Sequence, residues 1–189
     1  VIRDLATTQE VSAVLVKTGY ESISDPSRLA ETADYLKPKK ILLLDRDGTL
    51  NKKSLPGEYI NSLSEFIWIE SNRDALKILA QNGFSFIIIT NQAGVSLGKT
   101  AVSDLEAIHD QLRADFQSDG LTLLDIYVCT DHWNSESEFR KPEPGMFFAA
   151  ANRHKFRLDQ VIYVGDDVRD GLAAGNAGCK CVLVSSEEL

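Results

Sequence analysis

Cysteine is scarce: Cys129, Cys179 and Cys181 are the three in 189 residues. An odd, widely spaced set makes no disulfide framework, so a reducing cytoplasm is the simplest reading. Long apolar runs are missing too. No stretch approaches the roughly 20 residues of a membrane span, and residues 1–10 lack the basic flank and apolar core of a signal peptide. Positive charge is in deficit, with 20 Lys and Arg against 28 Asp and Glu and a net charge of −8. Such a chain binds nucleic acid or anionic lipid poorly in any non-specific way. A phosphate substrate would need a local reversal of that field, for which a metal cation is the usual device. Methionine occurs once, as Met146, and not at position 1, so the sequence reads as a processed chain or a piece of something longer.

What is present is the composition of a folded domain, 43% hydrophobic and 25% charged, too apolar for a disordered chain. Short apolar runs at 41–44, 84–89, 126–129, 161–164 and 181–184 alternate with amphipathic stretches. Runs apolar on both faces belong inside a parallel sheet, and the alternation predicts an α/β fold with helices on both sides of it. Ser71–Asp74 and Ser103–Glu106 read as capping boxes opening two helices, Pro144-Gly145 opens a third, and Asp167 to Asn176 reads as a fourth closed by Gly178. Ahead of these, 12–16 reads as a strand and 26–35 as a helix. Val14-Leu15-Val16 echoes Val182-Leu183-Val184, either as two unrelated strands or because residues 1–38 are the tail of an upstream domain of the same type. The expected division is therefore an extension over 1–38 and one domain over 39–189.

Chemistry-bearing residues recur where the strands end. Asp45-Arg46-Asp47-Gly48-Thr49-Leu50 follows the first run directly, at the sheet edge where open α/β folds bind ligands. Two carboxylates two residues apart can divide nucleophilic attack and proton transfer between them. Thr90-Asn91-Gln92 ends the second run with a hydroxyl and two amides suited to phosphate oxygens. Arg140-Lys141-Pro142 offers a bidentate clamp and a point charge for a phosphoryl group. Gly165-Asp166-Asp167-Val168-Arg169-Asp170 ends the fourth run with carboxylates suited to Mg²⁺. Any one of these could be a capped turn; the four together, in complementary types, read as one site.

On these residues the chain resembles the haloacid dehalogenase superfamily of phosphohydrolases. Its signature motifs appear in order as Asp45-x-Asp47-Gly48-Thr49, Thr90, Lys141 and Gly165-Asp166-Asp167. The strings Asp45 to Asn51, Glu58-Tyr59-Ile60, Asn91-Gln92-Ala93-Gly94-Val95 and Arg140-Lys141-Pro142-Glu143-Pro144-Gly145-Met146 resemble the histidinol-phosphatase-like branch. The last is most similar to its heptose bisphosphate 7-phosphatases. The resemblance implies a three-layer Rossmannoid fold without a large cap, and a Mg²⁺-dependent phosphomonoesterase acting on a small phosphorylated metabolite such as a heptose bisphosphate. It implies that Asp45 attacks phosphorus and Asp47 serves as acid and base. Thr90 and Lys141 would steady the phosphoryl group. Asp45, the Asp47 carbonyl and Asp166 would hold the metal, with Asp167 and Asp170 orienting or ligating. Asn91, Gln92, Arg140 and Tyr59 would meet the substrate.

One departure stands out. Relatives of this kind often carry a zinc loop of Cys-x-His and Cys-x-Cys pairs, and here only Cys129 and His132 survive, with Ser137-Glu138-Phe139 where the second pair would be. Structural zinc needs four good ligands, so none is expected. Trp68, Cys129, Cys179 and Cys181 are read as packing residues, and His109 and His154 as surface or half-buried. Histidinol phosphate and a nucleic-acid 3′-phosphate remain alternative substrates. A catalytically silent domain, or a phospho-accepting receiver, are the non-enzymatic alternatives. A monomer without membrane or nucleic-acid partners is expected.

Overall fold

The computed structural model of the protein describes residues 25–184; the expected strand at 12–16 lies outside them. The chain first forms helix α1, Pro26–Leu36, with Pro at its start and the Asp25 carboxylate accepting from the Arg28 N–H at 3.0 Å. It then enters β1, Ile41–Leu44. Helix α2, Glu70–Gln81, leads to β2, Ser85–Asn91, and α3, Val102–Ser118, to β3, Thr122–Cys129. Helix α4, Gly145–His154, precedes β4, Ile162–Gly165, and α5, Val168–Ala177, precedes β5, Lys180–Leu183. The five strands form one parallel sheet in the order β3-β2-β1-β4-β5.

β1 is central and its alternation divides the core. Ile41 and Leu43 face one layer with Ile87, Ile89, Phe147, Ala150, Ala173 and Ala174, which brings α4 and α5 onto that face. Leu42 and Leu44 face the other with Phe86, Ile88, Leu76, Leu112 and Phe116, which brings α2 and α3 onto the opposite face. The period of two along a strand forces this split. The result is the expected three-layer α/β arrangement. The chain leaves the sheet after Asp47 and returns through an antiparallel bridge between Asn51 and Trp68. Only a 3₁₀ turn, Leu63–Glu65, interrupts the excursion, so this segment forms no lid domain over the sheet edge.

Two expected capping boxes do not form. α2 starts at Glu70 after Ile69, and α3 at Val102 after Ala101, neither with a side-chain cap. The start of α2 is set instead by docking: Ile69 N–H donates to Leu50 O at 2.9 Å and Asn72 Nδ2 to Thr49 O at 2.8 Å. A capping box not expected from the sequence does form at the start of α5. Asp167 and Asp170 cap α5 reciprocally, and Gly178 ends it at φ +73°. Trp68 is half-buried rather than central, leaning on Phe116 and donating Nε1–H to Asp115 at 2.7 Å.

Candidate active site

Parallel strands deliver their carboxyl ends to one edge, and there the sheet gathers Asp45, Thr90 and Asp166. Asp45 N–H extends the ladder to Val164 O at 2.8 Å, so its side chain is held by β1 and β4 together. The carboxylate is buried, and its Oδ1 accepts from Lys141 Nζ at 2.8 Å. Burial pushes the Asp45 carboxyl up to about 6, against the opposing pull of Lys141.

Lys141 comes from the loop after β3. Its ammonium is buried among Asp45, Asp170 Oδ1 at 2.7 Å, the Tyr163 hydroxyl at 2.7 Å and Ile89 O at 3.1 Å. Burial alone would drive this lysine toward its neutral form; Asp45 and Asp170 outweigh it and hold the pKa above the usual value. The Asn91 amide pins the Lys141 backbone, Nδ2 donating to its carbonyl at 3.0 Å and Oδ1 accepting its N–H at 3.1 Å. Sequence reasoning expected Asn91 on the phosphate or sugar, and here its amide serves Lys141.

Asp47 is held by four donor groups. Oδ1 accepts from Arg46 Nε at 3.0 Å and Asn51 Nδ2 at 2.9 Å; Oδ2 accepts from Arg46 Nη2 at 2.9 Å and Gln92 Nε2 at 2.8 Å. Burial opposes ionisation, but Arg46, Gln92 and Asn51 together keep the carboxyl below its ordinary range. Gln92 also reaches Thr90 Oγ1 at 2.9 Å. Its amide thus links two expected catalytic residues, whereas sequence reasoning put it on the substrate.

Asp166 sits opposite, and its Oδ1 is buried without a hydrogen-bond partner among the described residues. Asp45, Asp166 and Asp170 each present a carboxylate oxygen, and these lie within 4.8 Å of one another. Gly48, at φ +85°, makes the approach possible: a Cβ there would lie 2.1 Å from Asp166 Oδ2. An orphaned oxygen in a ring of hard donors fits Mg²⁺. Asp170 is fully occupied otherwise. Its Oδ1 accepts from Tyr163 and Lys141, and its Oδ2 from the N–H groups of Asp166 and Asp167, each at 3.1 Å. Asp167 caps α5 and pairs with Arg169, which holds its carboxyl well below the usual range.

This arrangement coincides with a family match. The family model described as polynucleotide kinase 3 phosphatase matches residues 40–177. The chain belongs to the polynucleotide kinase 3 phosphatase family. It is a phosphatase of the haloacid dehalogenase type, a class that uses Mg²⁺. The chain is 36% identical over 147 residues to D-glycero-beta-D-manno-heptose-1,7-bisphosphate 7-phosphatase of Pseudomonas putida, covering 78% of this chain and 83% of that one. It is 34% identical to the D-glycero-D-manno-heptose-1,7-bisphosphate 7-phosphatase of Chlorobaculum tepidum, over 77% of this chain and 78% of the relative. The crystal structure of D,D-heptose 1.7-bisphosphate phosphatase from Bordetella bronchiseptica complexed with magnesium and phosphate superposes with a TM-score of 0.72 at 33% identity. It covers 76% of this chain and 79% of that one.

In this member of the polynucleotide kinase 3 phosphatase family the mouth of the site is an open cavity of about 520 Å³ lined by Trp133, Glu138, Arg140, Lys141, Glu143 and Arg169. Its wall is the loop after β3. The Asp131 carboxylate accepts from the Ser137 hydroxyl and lies 3.5 Å from Cys129 Sγ, and Phe139 N–H donates to Ser137 Oγ at 3.2 Å. Arg140 Nη1 donates to Asp131 O at 3.2 Å. These hydrogen bonds hold the loop. Tyr59, expected at the substrate, packs its ring on Gly94 and under Lys99 Nζ, 5.5 Å from the ring centroid.

Sequence reasoning missed several residues. Lys53 Nζ donates to Asp166 Oδ2 at 2.7 Å; a basic pair after the motif was its only signal. Tyr163 lies in an apolar run and read as core. His109 is buried, not on the surface or half-buried, because it meets the buried Arg46 guanidinium, Nε2 to Nη1, at 3.2 Å.

Proposed function

We propose that the chain hydrolyses a phosphomonoester of a sugar bisphosphate, a heptose bisphosphate being the best-supported substrate. The observation that carries this reading is the buried Asp45–Lys141 pair beside an orphaned Asp166 oxygen at the sheet edge. The relatives named for heptose-1,7-bisphosphate support the substrate class. In this reading the Asp45 carboxylate attacks phosphorus and the P–O bond to the sugar breaks, leaving an aspartyl-phosphate. Asp47, ionised while its donors hold it, must first take a proton from solvent before it gives one to the departing oxygen, and it then takes one from the water that cleaves the acyl phosphate. Lys141 and Thr90 hold the transferring oxygens, and Asn91 keeps Lys141 aimed. Asp45, Asp166 and the Asp47 carbonyl would hold Mg²⁺, which supplies positive charge against the phosphate oxygens. Asp170 orients Lys141 and the 166–167 turn. Arg140 stands at the mouth for the rest of the substrate.

The phosphatase unit is read as 39–189, supported by a family match beginning at residue 40. Cytoplasmic residence fits three free cysteines, and no helix among the described residues is long and apolar enough to cross a membrane. The chain is read as a monomer.

The test is phosphate release from a panel of heptose bisphosphate, histidinol phosphate and 3′-phosphorylated oligonucleotide, by wild type, by Asp45→Asn and with EDTA. Turnover of the sugar bisphosphate, lost in the variant and in EDTA, is the expected result. Turnover that survives both changes overturns the mechanism. Preference for the oligonucleotide overturns the substrate, and a long-lived phosphoenzyme without turnover favours a receiver.

A further inference from the structure

Arg46 stands between the two motif aspartates and is completely buried, yet it cannot shed its charge. Its Nε and Nη2 edge grips both oxygens of Asp47, at 3.0 and 2.9 Å. That leaves Nη1, which faces His109 Nε2 at 3.2 Å. His109 lies on α3, 63 residues away, beside the apolar stripe of Leu105, Ile108, Leu112 and Phe116. A guanidinium only donates, so the ring nitrogen it faces must accept. The imidazole is therefore neutral, with its proton on Nδ1. Charged neighbours agree in balance: Arg46 and Arg113 disfavour a second positive charge, while Asp47 and Asp110 act weakly the other way.

We infer that His109 is a positioning residue for the phosphatase reaction, acting through Arg46 to fix the carboxylate of Asp47. The inference rests on the acid–base role given to Asp47 above. A long, buried guanidinium anchored at one edge only can tilt about its stem; a second anchor on Nη1 fixes its plane. The plane of Arg46 sets the direction of both Asp47 oxygens, and Asn51 and Gln92 complete the cradle from the motif turn and from the end of β2. The proton-transfer geometry of Asp47 thus depends on α3, an element that contributes no group to the substrate. A misplacement of the order of 1 Å at such a group costs about a hundredfold in rate.

Two measurements test this. In turnover, His109→Leu keeps the bulk but offers no acceptor, and kcat falls at least about tenfold with KM little changed. His109→Gln, whose Oε1 can accept from Arg46, restores kcat to within about threefold of wild type. Equal kcat in His109→Leu and wild type overturns the inference, as does equal loss in both variants. Independently of turnover, ¹⁵N-detected NMR of the histidine rings should show His109 neutral with its proton on Nδ1. A ring protonated on Nε2 overturns the hydrogen bond, and with it the inference, whatever the activity. A wild type inactive on every phosphomonoester overturns the phosphatase reading instead, and leaves the tautomer result to decide the contact.

Discussion

Burial of His109 against Arg46 has a consequence for stability that can be measured without substrate. Desolvation, reinforced by Arg46 and Arg113, lowers its pKa from 6.5 to about 4. The unfolded chain therefore binds a proton at this site that the folded chain refuses. The contribution to stability is full above the unfolded value of 6.5 and is lost as pH falls from there toward 4. Linkage puts the loss at roughly 2 kcal/mol between pH 8 and pH 5. Urea unfolding of wild type and His109→Gln at both pH values, in EDTA, isolates the term, because other titrating groups are shared. Wild type should lose about 2 kcal/mol more than the variant on going to pH 5. Equal losses would refute the claim that this imidazole is held neutral in the core.

Gly48→Ala would place a Cβ 2.1 Å from Asp166 Oδ2 at a φ of +85°. Calorimetric Mg²⁺ affinity should fall at least about tenfold as Asp166 is displaced, and unchanged affinity would count against Asp166 as a ligand. Phe116, 1% exposed, stacks edge-on against Phe86 and leans on Trp68. Phe116→Ala should cost about 3–5 kcal/mol in denaturant unfolding, and a loss under about 1 kcal/mol would contradict its central place in that core.

The strands that read most clearly are those buried on both faces. Residues 41–44 form β1 and 86–89 lie in β2, where an unbroken apolar run has only one stable home, the middle of the sheet. The edge strand β3 was read short, as 126–129 against Thr122–Cys129. Its first half has one face exposed, and a register shift lies opposite it between Phe86 and Ile87, so its pattern is neither a continuous run nor a clean alternation. The capping boxes at Ser71 and Ser103 failed for a related reason. A cap is local, but the start of α2 is decided by docking on the 49–51 turn. Only at Asp167, where the strand runs directly into the helix, did local and tertiary demands agree.

For the site, the residue types at the strand ends were sufficient to name the chemistry. Carboxylates, an amide-rich turn and a carboxylate cluster at strand ends, with a lysine on the loop after β3, converge at one edge of a parallel sheet. Which group touches which was not contained in that pattern. Asn91 holds the Lys141 backbone, Gln92 ties Asp47 to Thr90, and His109 reaches Arg46 across 63 residues. The sequence by itself determined the α/β class, the motifs and their common edge, because strand periodicity and chain direction are local properties. Only the tertiary structure decided the partners of each polar side chain. Once buried, every charge must find its hydrogen bonds among whatever neighbours packing brings, and those neighbours come from distant parts of the chain.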